Sequence, residues 1–78
     1  MSLFRKKRRD LASLKRTEWE LLIDENILGK NSFRDREMLK DHILDGKTYE
    51  YLAEKNGISS RQVARIIPKR MEQLQKII

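Results

Sequence analysis

The chain has 78 residues, with no cysteine, one proline, three glycines, one histidine and only 6% aromatic residues. Without cysteine, neither disulfides nor thiolate metal sites can hold it together, and a reducing, cytoplasmic setting fits best. The lone His42 sits near Asp41 and Asp45 on one helical stretch. A metal or catalytic centre needs further partners and a pocket, so His42 is read as structural. There is no glycine-rich phosphate loop and no nucleophile paired with a base, so neither an enzyme nor a cofactor is expected. No long apolar run offers a signal peptide or membrane span, and no membrane partner is expected. At this length the chain is one domain near the lower limit for a self-sufficient core, which excludes a spacious buried active site.

What is present is charge, and it is segregated. Hydrophobic and charged residues each make up 38%, with a net charge of +6. Residues 1–16 carry seven basic groups and one acid, and residues 57–78 carry five basic groups and one acid. Between them, residues 17–56 carry ten acids against six basic groups. Basic ends around an acidic middle suit a scaffold that offers cations to a polyanion. With a pI near 9.9, contact with nucleic acid is expected ahead of the alternative, a merely soluble and highly charged surface.

Caps and glycines divide the rest into helices. Thr17 and Glu20 have the spacing of a capping box; Trp19, Leu22, Ile23 and Ile27 follow at helical spacing, and Gly29 supplies a stop. Ser32 reads as the next N-cap, with Asp35 near the positive end of the helix dipole. Phe33, Met38, Leu39, His42 and Ile43 mark the inner side of that helix, and Gly46 ends it. Thr48 caps a third helix that buries Leu52 and Ala53 and closes at Gly57. Ser59 and Gln62 repeat the capping-box spacing and open a fourth, with Val63, Ile66 and Ile67 inward. Pro68 then interrupts the amide ladder, so either a kinked continuation or a fresh helix follows, carrying Met71, Leu74 and Ile78. No segment alternates with period two. The expectation is an all-α bundle of four to five helices, with residues 1–16 as a basic arm, either a helix with a thin apolar stripe or a mobile segment, and residues 17–78 as the helical domain.

The stretch "YLAEKNGISSRQVARI" carries the strongest pattern. Two helices crossing steeply need a small residue at their closest approach, a positive-φ residue in the turn and an apolar plug beneath it. Ala53, Gly57 and Ile58 fill those places, while Leu52, Val63 and Ile66 anchor the helices. This is the pattern of a helix-turn-helix. If Val63 and Ile66 point inward, Ser60, Arg61, Ala64 and Arg65 form the opposite face, with Lys69 and Arg70 just beyond. The first residues of a recognition helix reach base edges in the major groove, and arginine pairs with guanine in bidentate fashion. Ser59 and the first amides of the helix suit phosphate oxygens, and Lys69, Arg70 and Lys76 suit the DNA backbone.

Residues 33–75, with "RDREML", "TYEYLAEKNGIS" and a closing "MEQL", resemble region four of bacterial sigma factors and the related helix-turn-helix domains of small phage and mobile-element regulators. The resemblance implies a last helix in the major groove of a promoter element and RNA polymerase as a further partner. It also implies a phosphate contact from Thr48 and base-reading positions at Ser60, Arg61 and Arg65. This chain has Ser60 then Arg61 where the family often shows arginine then glutamate after the capping serine. A complete sigma factor is not expected, because no promoter-melting domain precedes the motif.

Arg5, Lys6, Lys7, Arg8 and Arg9 form a basic run suited to the phosphate backbone or a minor groove; solvation and anionic membrane are its other readings. The Trp19 helix and the Met71, Leu74 and Ile78 helix are two candidate homodimer surfaces. The leading expectation is a nucleoid-associated, sequence-specific transcriptional regulator. The alternative is a protein-interaction module of the same shape that docks on RNA polymerase or another regulator.

Overall fold

A computed structural model describes residues 14–77; the basic run at residues 5–9 and Ile78 lie outside them. Four helices follow in order: α1 (Arg16–Asn26), α2 (Ser32–Asp45), α3 (Tyr49–Asn56) and α4 (Ser60–Gln75). No strand occurs among the described residues, so the domain is all-α as its patterning requires. The helix α4 packs against each of the other three, α2 bridges α1 and α3, and the core lies between them. Leu22, Ile23, Ile27, Met38, Leu39, Leu52, Val63 and Leu74 are fully buried there. Full burial of one such side chain stabilises by about 1.5–3 kcal/mol, so apolar periodicity dominates the assembly.

The first helix starts earlier than its sequence suggests. Its N-cap is Lys15, whose amide donates to Glu18 Oε1 at 3.0 Å, and Thr17 lies inside the first turn. The capping box expected at Thr17 and Glu20 is therefore displaced by two residues. Leu14, just before the cap, and Trp19, four positions after it, both belong to the core cluster. These are the two positions of a hydrophobic staple, which fixes where a chain enters its helix. The folded unit thus takes in residues 14–16.

The turn between α1 and α2 also departs from expectation. The helix α1 ends at Asn26, whose side-chain amide donates to the Leu22 carbonyl at 2.8 Å, before Gly29 is reached. Gly29 serves instead in the turn, at φ +92°, followed by Asn31 at φ 62°. Asn31, not Ser32, is the N-cap of α2. Asparagine tolerates the left-handed region better than most residues, which lets it take this place. Two arginines satisfy carbonyls of the turn. Arg36 Nε donates to Ile27 O at 2.7 Å, and Arg70 donates to Leu28 O and Lys30 O at 3.4 and 3.3 Å.

Two residues of α2 exchange their expected roles. Phe33, read as an inner residue, is 76% exposed, while Asp35 is 4% exposed. Asp35 accepts from Arg70 Nε at 2.8 Å and from Arg34 Nε at 3.1 Å, so the buried carboxylate is paired from both sides. Met38 and Leu39 are buried as expected, and Ile43 packs against the core from the side. His42 Nδ1 lies 2.8 Å from Lys47 O and its ring packs on Tyr49 at 5.1 Å between centroids. The histidine has a structural role in the α2–α3 connection.

The caps of the second half follow the sequence closely. Gly46 ends α2 in the left-handed conformation at φ 67°. Thr48 Oγ1 accepts the Tyr51 amide at 3.1 Å and opens α3. At the end of α3, Ile58 N donates to Ala53 O and Gly57 N to Glu54 O, with Gly57 at φ 67°. These are the two bonds of a Schellman motif, which requires a residue free to adopt positive φ. Ser59 and Gln62 then form a reciprocal capping box, with amide-to-side-chain distances of 3.0 and 3.1 Å. The helix α4 runs through Pro68 without a break to Gln75. Pro68 is exposed, so the carbonyl left without its amide partner is on the side that water can reach.

Candidate nucleic-acid interface

Three residues, 57–59, separate α3 from α4, and this short turn fixes which side of α4 faces out. Val63 and Ile67 are buried and Ile66 is half-buried, so α4 has one committed inner face. Ser60, Arg61, Ala64, Arg65 and Lys69 are all exposed on the outer one. No acid occurs in residues 57–71, and the first turn of α4 contains none. The face is uniformly basic or small over its first three turns.

Which cations remain available is decided by what the carboxylates take. Lys40 Nζ lies 2.8 Å from Asp24, Lys55 Nζ 2.7 Å from Asp41, and Arg16 Nη1 3.1 Å from Asp45. Each of these three cations is held above its ordinary pKa, first by the hydrogen bond to its carboxylate. The acidic middle of the chain is thus largely matched by its own basic residues. In contrast, Lys30, Arg61, Arg65 and Lys69 have no ion-pair partner among the described residues. Their charge is uncompensated at close range and adds to the potential around α4.

Arg70 leaves the set of expected backbone-contacting residues. Its side chain is 14% exposed and donates to Asp35, Gln73 and the turn carbonyls, so it clasps α4 to α2 instead of facing solvent. Ser59 changes too. Its amide and hydroxyl are engaged with Gln62, and the amides free at the start of α4 are those of Ser60 and Arg61. Lys76 is exposed and lies 3.6 Å from Glu72, a pair that water screens heavily. Thr48 is exposed and its oxygen already accepts a hydrogen bond, which leaves its own proton to donate.

Two further residues stand beside Thr48 without having been singled out in the sequence. Lys47 Nζ lies 4.9 Å from the centre of the Tyr51 ring, and Tyr51 is 43% exposed. A cation next to a capping threonine was the available signal. Lys30 was missed as well, because nothing local relates it to α4. Of the residues expected at a homodimer surface, Trp19 and Leu74 are buried and Met71 packs on the core, while Ile78 lies outside the described residues. Among the described residues no helix is long and apolar enough to cross a membrane, and no group of His, Asp and Glu is arranged to hold a metal ion. The chain matches no family model, no curated protein and no solved structure.

Proposed function

We propose that this protein is a DNA-binding regulator of transcription, in which α3, its turn and α4 act as a helix-turn-helix. The observation that carries the reading is the outward face of α4: Ser60, Arg61, Ala64, Arg65 and Lys69 are exposed together, free of acids and, for the three cations, free of internal partners. Major-groove readers place the first turns of such a helix against base edges. Arg61 and Arg65 are the residues for guanine, and Ala64 suits a thymine methyl group. Thr48, Lys47, Lys69 and the amides of Ser60 and Arg61 suit phosphates on either side. The basic run at residues 5–9 adds affinity that is independent of sequence and sensitive to salt.

In vitro selection from random duplex DNA tests the reading. The wild-type chain should enrich a motif, and Arg61→Ala or Arg65→Ala should lose discrimination at one base position. Each loss should be about 1–3 kcal/mol, or roughly 5- to 150-fold. Neutralising residues 5–9 should weaken all duplexes alike and flatten the salt dependence. A bound pool that stays random would refute sequence readout.

A second reading has its own observation. Leu28 is 60% and Phe33 76% exposed on either side of one turn, which suits a protein-interaction module docking on RNA polymerase or another regulator. Retention of a polymerase complex by Arg61→Ala and Arg65→Ala variants, with its loss in Phe33→Ser, would favour that reading over DNA recognition.

A further inference from the structure

A cleft of about 240 Å³ opens between the α1–α2 turn and the middle of α4. Its walls include Lys30, Asn31, Asp35, Lys69, Arg70 and Gln73. The volume is far above the ~10–15 Å³ that a single water needs on the same measure, so a tetrahedral anion fits. Its charges are asymmetric. Asp35 is the acid in the wall, and both of its oxygens are already taken, by Arg34 at 3.1 Å and Arg70 at 2.8 Å. Arg70 is in turn held by Asp35, Gln73 and two carbonyls. That leaves Lys30 and Lys69, from two different elements and both without an ion-pair partner, facing one opening. Two unpaired lysines lining one cleft raise its positive potential, which an anion bound there lowers. Lys69 also belongs to the outward basic face of α4, so the cleft continues that face toward the α1–α2 turn.

We propose that this cleft is a phosphate subsite, in which Lys30 and Lys69 hold one backbone phosphate of the duplex that α4 reads. The inference rests on the DNA-binding reading above and extends it to a residue 39 positions from Lys69 in the chain. Asn31 and Gln73 supply side-chain amides beside the two ammonium groups, and the Asp35–Arg70 clasp gives the site its rigid floor. A phosphate there fixes how α4 lies along the groove, since a contact off the helix axis opposes rotation about it. Lys30 carries no sequence information itself. It sets register and orientation.

The test is the salt dependence of binding to a short random-sequence duplex by the full chain. Lys30→Gln should reduce the slope of log K against log salt by about one, and lower affinity about 8-fold at 0.1 M salt, equally for every sequence. Lys30→Arg should restore both values. Lys55→Gln removes the same charge from the side of α3 that contacts Asp41, and should leave the slope unchanged. If Lys30→Gln behaves like Lys55→Gln while Arg61→Ala still alters base preference, the subsite is wrong and the DNA reading stands. In a parallel arm, inorganic phosphate is titrated into the 15N-labelled protein. Shifts confined to residues 30–31 and 69–73, with no duplex binding by the wild-type chain, would make the cleft a free-phosphate site and would overturn both the DNA reading and the backbone-phosphate assignment. Neither duplex binding nor phosphate shifts would overturn the cleft and the DNA reading together.

Discussion

Replacing Arg70 by alanine separates a structural arginine from a DNA-contacting one. The side chains of Arg70 and Asp35 are 14% and 5% exposed, and their Nε–Oδ2 distance is 2.8 Å. Removing one partner of a buried pair typically costs about 3–5 kcal/mol, because the other is left with an uncompensated charge. Here Arg34 still reaches Asp35 Oδ1 at 3.1 Å, and the turn carbonyls that Arg70 served are exposed enough for water to replace it. The expected loss is therefore about 2–3 kcal/mol, below the range for a fully buried pair. For a domain of this size each kcal/mol lowers Tm by about 4–8 °C, so a fall of roughly 10–20 °C should appear in a thermal melt. The double variant Asp35→Leu, Arg70→Met keeps the net charge and replaces the pair by apolar groups, and should recover most of that loss. Folded, it should keep the base preference of the wild-type chain, since neither residue lies on the outward face of α4. A single-variant loss below about 1 kcal/mol would refute the clasp, since even a part-buried charge pair should exceed that.

Gly57→Ala should cost about 1–2 kcal/mol from backbone strain at φ 67° alone, since no atom beyond its chain neighbours lies within 4 Å of the added methyl group; urea unfolding measures it. Phe33→Ser should change stability by no more than about 0.5 kcal/mol by the same method, where a core phenylalanine would lose several. The pKa of Lys40 is raised chiefly by its hydrogen bond to Asp24, so its contribution is complete below the unfolded value of 10.5 and is lost as pH rises through the higher folded one. The stability difference between wild type and Lys40→Gln should accordingly be constant through neutral pH and shrink only above that value; a difference that shrinks near neutrality would contradict the assignment.

The segment from Leu28 in the turn to Phe33 in the first turn of α2 separates the two functional readings. If it meets DNA, Lys30 matters and Phe33 does not; if it meets a protein, the order reverses. Nothing in the local sequence could make that distinction, because Lys30 and Lys69 come together only when α4 packs across α2.

What the sequence determined by itself is the part held by short-range interactions. Thr48 with Tyr51, Ser59 with Gln62, and the left-handed glycines 46 and 57 are hydrogen bonds or backbone constraints within a few residues. Their spacing encodes them directly, and so the four helices and the outward face of α4 were legible. Tertiary structure decided the rest. Helical periodicity marks an apolar stripe but not its edges, so Phe33 at the edge of the α2 stripe turns out and Leu14 before α1 turns in. A charge pattern cannot tell which cation meets which carboxylate across 35 residues, and that choice removes Arg70 from the surface while it leaves Arg61, Arg65, Lys69 and Lys30 uncommitted. The physical reason is that burial and ion pairing depend on which helices cover one another, and that is a property of the assembled bundle.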